Sequence, residues 1–370
     1  MRYYLTAGEA SGDLHGSNLI KGLRQADPDA RFRFYGGDLM AAAASEQPVR
    51  HYRDGAVMGP TDILAKAGAL LHSLEDCKKD IAAWKPDAVI LIDYPGFNLR
   101  IARFCHEAGF RVFYYIPPKT WASRDGRNRM LREWIDKVFV VFPFEVPYFQ
   151  KAGVPFVYKG NPLMDAVLSH NFERPCQERY IAVLPGSRKG EISRTLPVCM
   201  EVADALGLKV LVAGAPARSP EDYTPWTEGH PGVGVLFNRT YDILKFADAA
   251  IINSGTASLE AAIIGTPQVV CWNTSSLTWW YAKNILKVDS HIPFVSLGNL
   301  CLGREAFREL LQQDFNKDNV LQEVNRLLQD TPYRERMLRD YAEIRESLGG
   351  SGASLAVARA MIEEIKSTSI

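Results

Sequence analysis

The chain has 370 residues, which exceeds the size of an ordinary single core and favours two domains. Hydrophobic residues make up 47% and charged residues 23% of the chain, as in globular proteins, so a disordered or fibrous chain is excluded. Lys plus Arg and Asp plus Glu both number 43, and this balance gives no indication of a nucleic-acid partner. We expect no signal peptide and no transmembrane span.

The six cysteines are scattered and form no C-x-x-C pair. This spacing argues against a zinc site and a disulfide framework, and it is typical of a reducing cytoplasm. Walker A and H-E-x-x-H patterns are also absent from the sequence, so we expect no metal and no other cofactor.

Short apolar runs alternate with segments of helical periodicity along the chain. The runs predicted as strands are Arg2–Ala7, Phe32–Tyr35, Ala88–Ile92, Arg111–Ile116, Lys137–Phe142, Phe156–Lys159, Tyr180–Leu184, Lys209–Ala213, Gly234–Phe237, Ala249–Asn253, Gln268–Trp272 and Phe294–Leu297. The alternation predicts an α/β fold with parallel sheets, and this many strands suit two doubly wound, Rossmann-like domains better than one sheet. We place these domains at residues 1–168 and 169–348, followed by a helical segment, 349–370, that packs on the N-terminal domain or on a partner.

The C-terminal part of the chain has a different pattern. Its predicted amphipathic helices are Arg304–Gln312, Asn319–Leu328 and Ser354–Ile365. The glycine-rich hinge Gly349–Gly352 before the last helix permits an exchanged-helix homodimer. The stretch Phe294–Arg304 is also interpreted as an irregular loop that carries Asn299 and Arg304, whose polar groups could enter an interdomain cleft.

A glycine-containing turn, Gly8–Asp13, follows the first strand and precedes a helix. Turns of this kind at the carboxyl end of a parallel sheet are where α/β proteins bind ligands. The turn and the following residues carry Glu9 and His15 as candidate reactive groups. The alternative is a plain helix cap by Ser11 or Asp13.

Asp93 directly follows the apolar strand Ala88–Ile92. A carboxylate at the exit of a buried strand is poorly solvated, so its pKa should rise, which suits a general base. The alternative is that Asp93 caps the next helix or pairs with an arginine.

Two turns in the second half of the chain carry groups that suit a diphosphate. Each follows a predicted strand, and the second opens a helix whose dipole favours an anion. The residues assigned to the diphosphate are Gly186, Ser187, Arg188, Ser254, Gly255 and Thr256. Glu260, one helical turn later, is placed to accept both hydroxyls of a ribose. The alternatives are a plain turn and a capped core helix.

Apolar and basic segments of the first half suit an acyl chain or a membrane surface. The apolar candidates are Val57, Met58, Leu64, Leu70 and Leu71, with core packing as the alternative. The segment Arg100–Lys137 has nine basic and four acidic residues. It includes Arg124 and Arg127, and it indicates either attraction to phosphate groups, on a substrate or an anionic membrane, or a solvated helix face.

Taken together, these motifs resemble, in the same order, those of the lipid-A-disaccharide synthase family, glycosyltransferase family 19. The resemblance runs from about residue 3 to residue 345 and is carried by Gly8–Asp13, Val57–Gly59, Asp93–Asn98, Leu184–Arg188, Ser254–Glu260 and Leu297–Arg304. It implies a GT-B fold, in which an N-terminal domain for the acyl-sugar acceptor and a C-terminal domain for the UDP-sugar face a cleft. It also implies peripheral association with the cytoplasmic face of the inner membrane.

The reaction that the resemblance implies joins UDP-2,3-diacylglucosamine to 2,3-diacylglucosamine 1-phosphate in lipid A biosynthesis. The products are a β(1→6)-linked disaccharide 1-phosphate and UDP, and a β product from an α-linked donor requires inversion at the anomeric carbon. One base must then take the proton of the acceptor 6-hydroxyl. Asp93 matches the aspartate on which the family relies, Glu9 and His15 are second choices, and Asn299 matches a position that the family implicates in activity.

Two other functions are compatible with the residues. A UDP-sugar 2-epimerase of the same architecture would use the same diphosphate turns, although it would leave the apolar helix without a role. A non-catalytic protein that binds anionic lipids would use the basic and apolar segments, although it would leave both nucleotide-type turns idle.

Overall fold

The structure, a computed structural model, describes residues 1–55, 63–122, 125–274 and 293–367. The chain divides into two compact units. The N-terminal unit comprises Met1–Ala166 together with the chain from Leu348 onward, and the C-terminal unit comprises Val167–Ser347. In each unit, strands alternate with helices around one parallel sheet.

The N-terminal unit is built on a seven-stranded sheet. Its strands are β1 (Arg2–Ala7), β2 (Arg31–Gly36), β3 (Arg50–His51), β4 (Ala88–Ile92), β5 (Val112–Tyr115), β6 (Lys137–Val140) and β7 (Phe156–Tyr158). Its helices are α1 (Ala10–Ala26), α2 (Asp38–Ala44), α3 (Ile63–Trp84), α4 (Pro95–Glu107), α5 (Arg127–Trp134), α6 (Glu145–Ala152) and α7 (Pro162–Leu168). The order β3-β2-β1-β4-β5-β6-β7 reverses direction between β1 and β4. In such sheets, ligands bind beyond the carboxyl ends of the strands at this switch point.

The C-terminal unit is built on a six-stranded sheet. Its strands are β8 (Tyr180–Leu184), β9 (Lys209–Gly214), β10 (Val233–Phe237), β11 (Ala249–Asn253), β12 (Gln268–Trp272) and β13 (Glu309–Leu311). Its helices are α8 (Lys189–Leu206), α9 (Thr224–Thr227), α10 (Thr240–Phe246), α11 (Thr256–Ile264), α12 (Leu297–Leu302), α13 (Lys317–Gln329) and α14 (Thr331–Leu348). The order β10-β9-β8-β11-β12-β13 places a second switch point between β8 and β11.

Apolar strands form the centre of each unit. Every residue of β4 and of β8 is buried, as expected for parallel strands that are covered on both faces. Fully buried aromatic rings, among them Tyr4, Tyr114 and Tyr180, add to this packing. Burial of one large apolar side chain stabilises a fold by about 1.5–3 kcal/mol, so these centres are rigid supports for the loops at the strand ends.

The last helix, α15 (Ala353–Ser367), belongs to the N-terminal unit and packs on α1. The two helices approach so closely that a Cβ added at Gly22 would lie 2.7 Å from the Ser354 carbonyl oxygen. The backbone N–H of Ser354 also donates to the Asp165 carboxylate at 2.8 Å. These contacts anchor α15 within its own chain, and the exchanged-helix homodimer stays a prediction.

All but one of the predicted strands are present. The exception is Phe294–Leu297, which is wrong because the backbone N–H of Ser296 donates to the Glu309 carboxylate and α12 begins at Leu297. The helix predicted at Arg304–Gln312 is also wrong, since Glu309–Leu311 forms β13 and pairs with β12. The two-residue strand β3 was too short to be predicted from periodicity.

Candidate active site

At the switch point of the N-terminal unit, the loops after β1 and β4 touch. The two strands are neighbours, with Ala7 paired to Ile92. A Cβ added at Gly8 would lie 2.4 Å from the ring of Tyr94. Only glycine permits this approach, which brings the Gly8-Glu9 turn beside the Asp93-Tyr94 turn.

Asp93 and Tyr94 both have left-handed backbone conformations, with φ of 46° at each. This conformation is uncommon for residues other than glycine and costs about 1–3 kcal/mol at each position. Two buried side chains hold it in place. The Asn98 amide donates to the Asp93 carbonyl oxygen at 2.8 Å, and the Tyr114 hydroxyl donates to the same oxygen at 2.6 Å.

The Asp93 carboxylate is half-buried. Burial raises its pKa above the ordinary value of an aspartate, and the negative charge of Glu9 raises it further, whereas the charge of Lys119 opposes the rise. A carboxylate with a raised pKa is a stronger base, and this loop holds it at a fixed backbone position. The geometry and the charges therefore favour the predicted role of Asp93 as a general base.

The two second choices lie on the neighbouring turn and helix. Glu9 is exposed and precedes the first residue of α1. His15 lies further along α1, half-buried, and burial lowers its pKa to about 4, so its ring is neutral at pH 7. Asp13 has a different role from the predicted cap of α1, because its carboxylate accepts the backbone N–H groups of Gly37, Leu39 and Met40 and so caps α2.

In the C-terminal unit, the two predicted diphosphate turns follow neighbouring strands. Leu184 at the end of β8 pairs with Ile252 near the end of β11. The buried Asn253 amide donates to the Pro185 carbonyl oxygen at 3.1 Å and links the two turns. Gly186 has a φ of 102°, and a Cβ there would lie 2.6 Å from the Asn253 amide nitrogen, so this position requires glycine.

Ser187 and Arg188 were assigned to the diphosphate, but their backbone N–H groups already have a partner within the protein. Both donate to Oε2 of Glu191, at 3.0 and 3.2 Å, and the Arg188 guanidinium contacts Oε1 of the same carboxylate at 2.9 Å. Glu191 lies at the third position of α8, where a carboxylate commonly reaches back to cap the helix. Because the Arg188 side chain is 77% exposed, it still presents donors to an anion from solution.

The turn Ser254-Gly255-Thr256 has the geometry of an anion site. Helix α11 begins at Thr256, and Gly255 and Thr256 are exposed. The first N–H groups of a helix have no partner within the helix, and the dipole adds positive potential there. The Ser258 hydroxyl donates to the Gly255 carbonyl oxygen at 2.9 Å and so holds the turn from inside.

Glu260 is half-buried on α11 and has a partner that the sequence did not reveal. Its Oε1 accepts a hydrogen bond from the Tyr241 hydroxyl at 3.0 Å. Burial raises the pKa of Glu260, and this hydrogen bond opposes the rise. Tyr241 comes from α10 and packs edge-on against the ring of His170. Among the described residues, the second oxygen of Glu260 has no recorded hydrogen bond, so it can accept from a ligand.

Asn299 is fully buried within the C-terminal unit. Its Oδ1 accepts the backbone N–H of Ala306 at 2.8 Å, and its Nδ2 donates to the Phe307 carbonyl oxygen at 3.0 Å and to Glu309 at 2.9 Å. We therefore infer that Asn299 acts by holding the backbone rather than by touching substrate. Arg304, expected to enter a cleft, instead pairs with Asp340 and Glu343.

The residues predicted for acyl chains or a membrane have mixed environments. Leu70 is half-buried and packs on the core, whereas Leu71 is 60% exposed. Arg127 is the first residue of α5. Burial raises the pKa of Tyr114, and the positive charge of Arg127 opposes this rise. Val57, Met58 and Arg124 lie outside the described residues, as does the side chain of Leu64 on α3.

Solved structures similar to this chain share its fold. A UDP-GlcNAc 2-epimerase from Neisseria meningitidis, bound to UDP-GlcNAc, is similar with a TM-score of 0.72 at 12% identity, covering 98% of this chain and 100% of that chain. The glycotransferase of kitacinnamycin is similar with a TM-score of 0.63 at 16% identity, covering 98% of both chains. At such low identity these likenesses establish the fold alone, which is GT-B.

Sequence comparison identifies the family. The chain is 35% identical to the lipid-A-disaccharide synthase of Trichlorobacter lovleyi, over 99% of this chain and 98% of that protein. It is 36% identical to the enzyme of the same name from Geobacter metallireducens, over 98% of this chain and 97% of that protein. A sequence model of lipid-A-disaccharide synthetase matches residues 3–357. The chain therefore belongs to the lipid-A-disaccharide synthase family.

Proposed function

We propose that this protein is an inverting glycosyltransferase that joins UDP-2,3-diacylglucosamine to the 6-hydroxyl of 2,3-diacylglucosamine 1-phosphate. The products are the β(1→6)-linked lipid A disaccharide 1-phosphate and UDP. The observation that carries the proposal is the match to the lipid-A-disaccharide synthetase family over residues 3–357. Four of the family's motifs, Gly8–Asp13, Asp93–Asn98, Leu184–Arg188 and Ser254–Glu260, follow the strands that flank the two switch points, where α/β sheets bind ligands.

The N-terminal unit supplies the base. As the acceptor 6-oxygen bonds to the anomeric carbon, Asp93 takes the hydroxyl proton, and the bond from that carbon to the UDP oxygen breaks on the opposite side. The raised pKa of Asp93 increases its affinity for this proton. The proton later passes to solvent, which restores the carboxylate for the next turnover.

The C-terminal unit binds UDP and stabilises its charge as it leaves. The first N–H groups of α11 and the hydroxyl of the exposed Thr256 donate to the diphosphate, and Arg188 adds a guanidinium. The Ser254 hydroxyl donates to the Val295 carbonyl oxygen at 3.4 Å, so Ser254 contributes by holding the turn. Preorganised donors of this kind each lower a barrier by about 3 kcal/mol. Glu260 accepts the ribose hydroxyls with the oxygen that Tyr241 leaves available.

A direct assay tests this function. The protein is incubated with UDP-2,3-diacylglucosamine and 2,3-diacylglucosamine 1-phosphate in non-ionic detergent, with and without EDTA, and the products are separated by mass. We expect disaccharide 1-phosphate and UDP in equal amounts under both conditions. Absence of disaccharide contradicts the function, and loss of activity with EDTA contradicts a metal-free reaction. A parallel incubation with UDP-N-acetylglucosamine alone should yield no 2-epimer.

We also propose that the protein acts as a peripheral enzyme at the cytoplasmic face of the inner membrane. None of the helices in the described part of the chain has the length and hydropathy to cross a bilayer. Exposed apolar side chains of the N-terminal unit, such as Leu71, and basic residues of α5, such as Arg129, support surface association. Cosedimentation with vesicles containing anionic lipid, compared with neutral vesicles, tests the attachment.

A further inference from the structure

A cavity opens beside the Asp93 loop in the N-terminal unit. It lies at the carboxyl ends of β1, β2 and β3 and is bordered by α3. The residues that characterise it are Gly8, Tyr35, Arg50, Leu70, Tyr94 and Phe97. None of the roles described above uses Arg50, which was not singled out in the sequence.

Arg50 is a half-buried cation for which the described part of the chain offers no partner. Within the described segments 1–55, 63–122, 125–274 and 293–367, its guanidinium has no ion pair and no hydrogen bond. Two other arginines of this part of the chain are paired, since Arg33 binds Asp80 and Arg53 contacts Asp38. A partly desolvated charge is costly unless an opposite charge meets it, so an anion is the ligand that this position favours.

Two phenols line the same cavity as Arg50. Tyr35 is the register partner of Arg50 in the sheet, and Tyr94 lies on the cavity wall. Both phenols are hydrogen-bond donors, and the positive charge of Arg50 opposes the rise in their pKa that burial causes. A guanidinium with phenol donors beside it suits the several oxygens of a phosphate monoester.

The remaining walls suit an acylated sugar. The rings of Tyr94 and Phe97 stack with centroids 5.4 Å apart, and Tyr35 lies 6.1 Å from Phe97. On the other side, Ala69 and Leu70 of α3 provide apolar surface. Pockets with mostly apolar walls and a few oriented polar groups bind amphiphilic small molecules.

The cavity adjoins the Asp93-Tyr94 turn and the Gly8-Glu9 turn. Gly8 and Tyr94, which line it, are the chain neighbours of Glu9 and Asp93. In a glucosamine ring, the phosphate on carbon 1 and the hydroxyl on carbon 6 flank the ring oxygen, so one bound sugar presents both groups to one region. We propose that this cavity binds the acceptor sugar and that Arg50 binds its 1-phosphate. This inference rests on the proposed function and names the phosphate-recognition residue of that reaction.

The test compares two acceptors in two variants. Wild type, Arg50→Met and Arg53→Met are assayed in non-ionic detergent with 2,3-diacylglucosamine 1-phosphate and with 2,3-diacylglucosamine that lacks the phosphate. Arg53 is the matched control because it is an exposed arginine of the same segment that pairs with Asp38. Wild type and Arg53→Met should prefer the phosphorylated acceptor by about ten- to a hundredfold in kcat/KM, and Arg50→Met should lose most of this preference.

Each outcome has one meaning. If wild type forms no disaccharide, the proposed function fails. If wild type is active and Arg50→Met keeps the full preference for the phosphorylated acceptor, the Arg50 inference is overturned while the function stands. If Arg50→Met instead weakens only binding to anionic vesicles, Arg50 contacts lipid headgroups and the inference is likewise overturned. An unchanged melting temperature shows that the variant is folded, and partial rescue by Arg50→Lys supports a charge contact.

Discussion

The side-chain amide of Asn98 donates to the main-chain carbonyl oxygen of Asp93 at 2.8 Å, and this bond joins the start of α4 to the turn that carries the proposed base. The same nitrogen reaches the Ile92 carbonyl oxygen at 3.1 Å, and the Asn98 oxygen accepts from Thr6 at 2.7 Å. One fully buried amide therefore links the ends of β1 and β4. Asn98 is a positioning residue for Asp93.

Replacement of this amide should impair turnover beyond its effect on stability. Asn98→Ala leaves buried groups unpaired, so we expect a loss of about 1–3 kcal/mol in the free energy of unfolding. Because the left-handed turn also loses support, kcat should fall at least about tenfold with little change in the KM for UDP-sugar. Thermal melting and steady-state kinetics measure both.

Asn161→Ala is the matched control for Asn98→Ala. Asn161 is also buried in the N-terminal unit, where its amide donates to the Val141 carbonyl oxygen at 2.8 Å. The Asn161→Ala variant should be less stable than wild type, but its kcat should be unchanged at a temperature where the protein stays folded. Equal losses of kcat in the two variants would mean that Asn98 acts only on stability.

Glu9 should shift the acid limb of the pH profile of kcat/KM by raising the pKa of Asp93. Its negative charge is one cause of the raised pKa of Asp93. Because a protonated base is inactive, kcat/KM falls as the pH falls through the pKa of Asp93. Glu9→Gln removes the repulsion, lowers that pKa and should move the acid limb to lower pH. Glu107→Gln is the control, because Glu107 is exposed and pairs with Arg103, and the acid limb should not move in this variant. If the acid limb does not move in Glu9→Gln either, Glu9 does not raise the pKa of Asp93.

Arg188 should stabilise the departing UDP. Arg188→Met is expected to lower kcat about a hundredfold, as does loss of one preorganised donor in other enzymes. Arg179 is the matched control, because it lies at the opposite end of β8 from Arg188. Its side chain is similarly exposed and pairs with Asp248. Arg179→Met should therefore retain activity. Single-turnover assays at saturating donor separate this effect from binding, and full activity of Arg188→Met would exclude the guanidinium from the reaction.

Tyr241 should orient Glu260 for the ribose. In Tyr241→Phe, Glu260 loses its hydrogen bond, and its pKa rises further, so the carboxylate accepts ribose hydroxyls less well. We expect the Kd for UDP to rise about tenfold, measured by calorimetry. Tyr180→Phe is the control, since it loses a 2.8 Å bond to the Ile243 carbonyl oxygen in the same unit. If both variants bind UDP like wild type, Tyr241 has no positioning role.

The strands and the turns at their ends were predictable because both signals are local. An apolar run followed by Gly, Ser or Asp, as at Ile92-Asp93, identifies a strand exit from a few consecutive residues. Tyr241 was not predictable because it precedes Glu260 by a whole strand and turn, and only the fold brings them together. Arg50 lies in a strand of two residues that has no period to detect.

Two errors arose from glutamate side chains that accept backbone N–H groups. The segment Phe294–Leu297 has the apolar pattern of a strand. Its N–H groups at Val295 and Ser296 donate to the Glu309 carboxylate instead of to a neighbouring strand. Glu191 in the same way occupies the N–H groups predicted to bind phosphate. In that case the spacing from Arg188 to Glu191 was itself a capping signal.

The central claim is that Asp93 removes the proton of the acceptor hydroxyl, and Asp93→Asn tests it most directly. Asparagine also tolerates the left-handed conformation, so the turn is retained. Since Asp93 has a raised pKa, its charge destabilises the native state at neutral pH, and the variant should melt at the same temperature or higher. The measurement is single-turnover disaccharide formation with UDP binding checked in parallel. We predict a rate about three orders of magnitude lower with unchanged UDP affinity, and a near-normal rate would contradict the account.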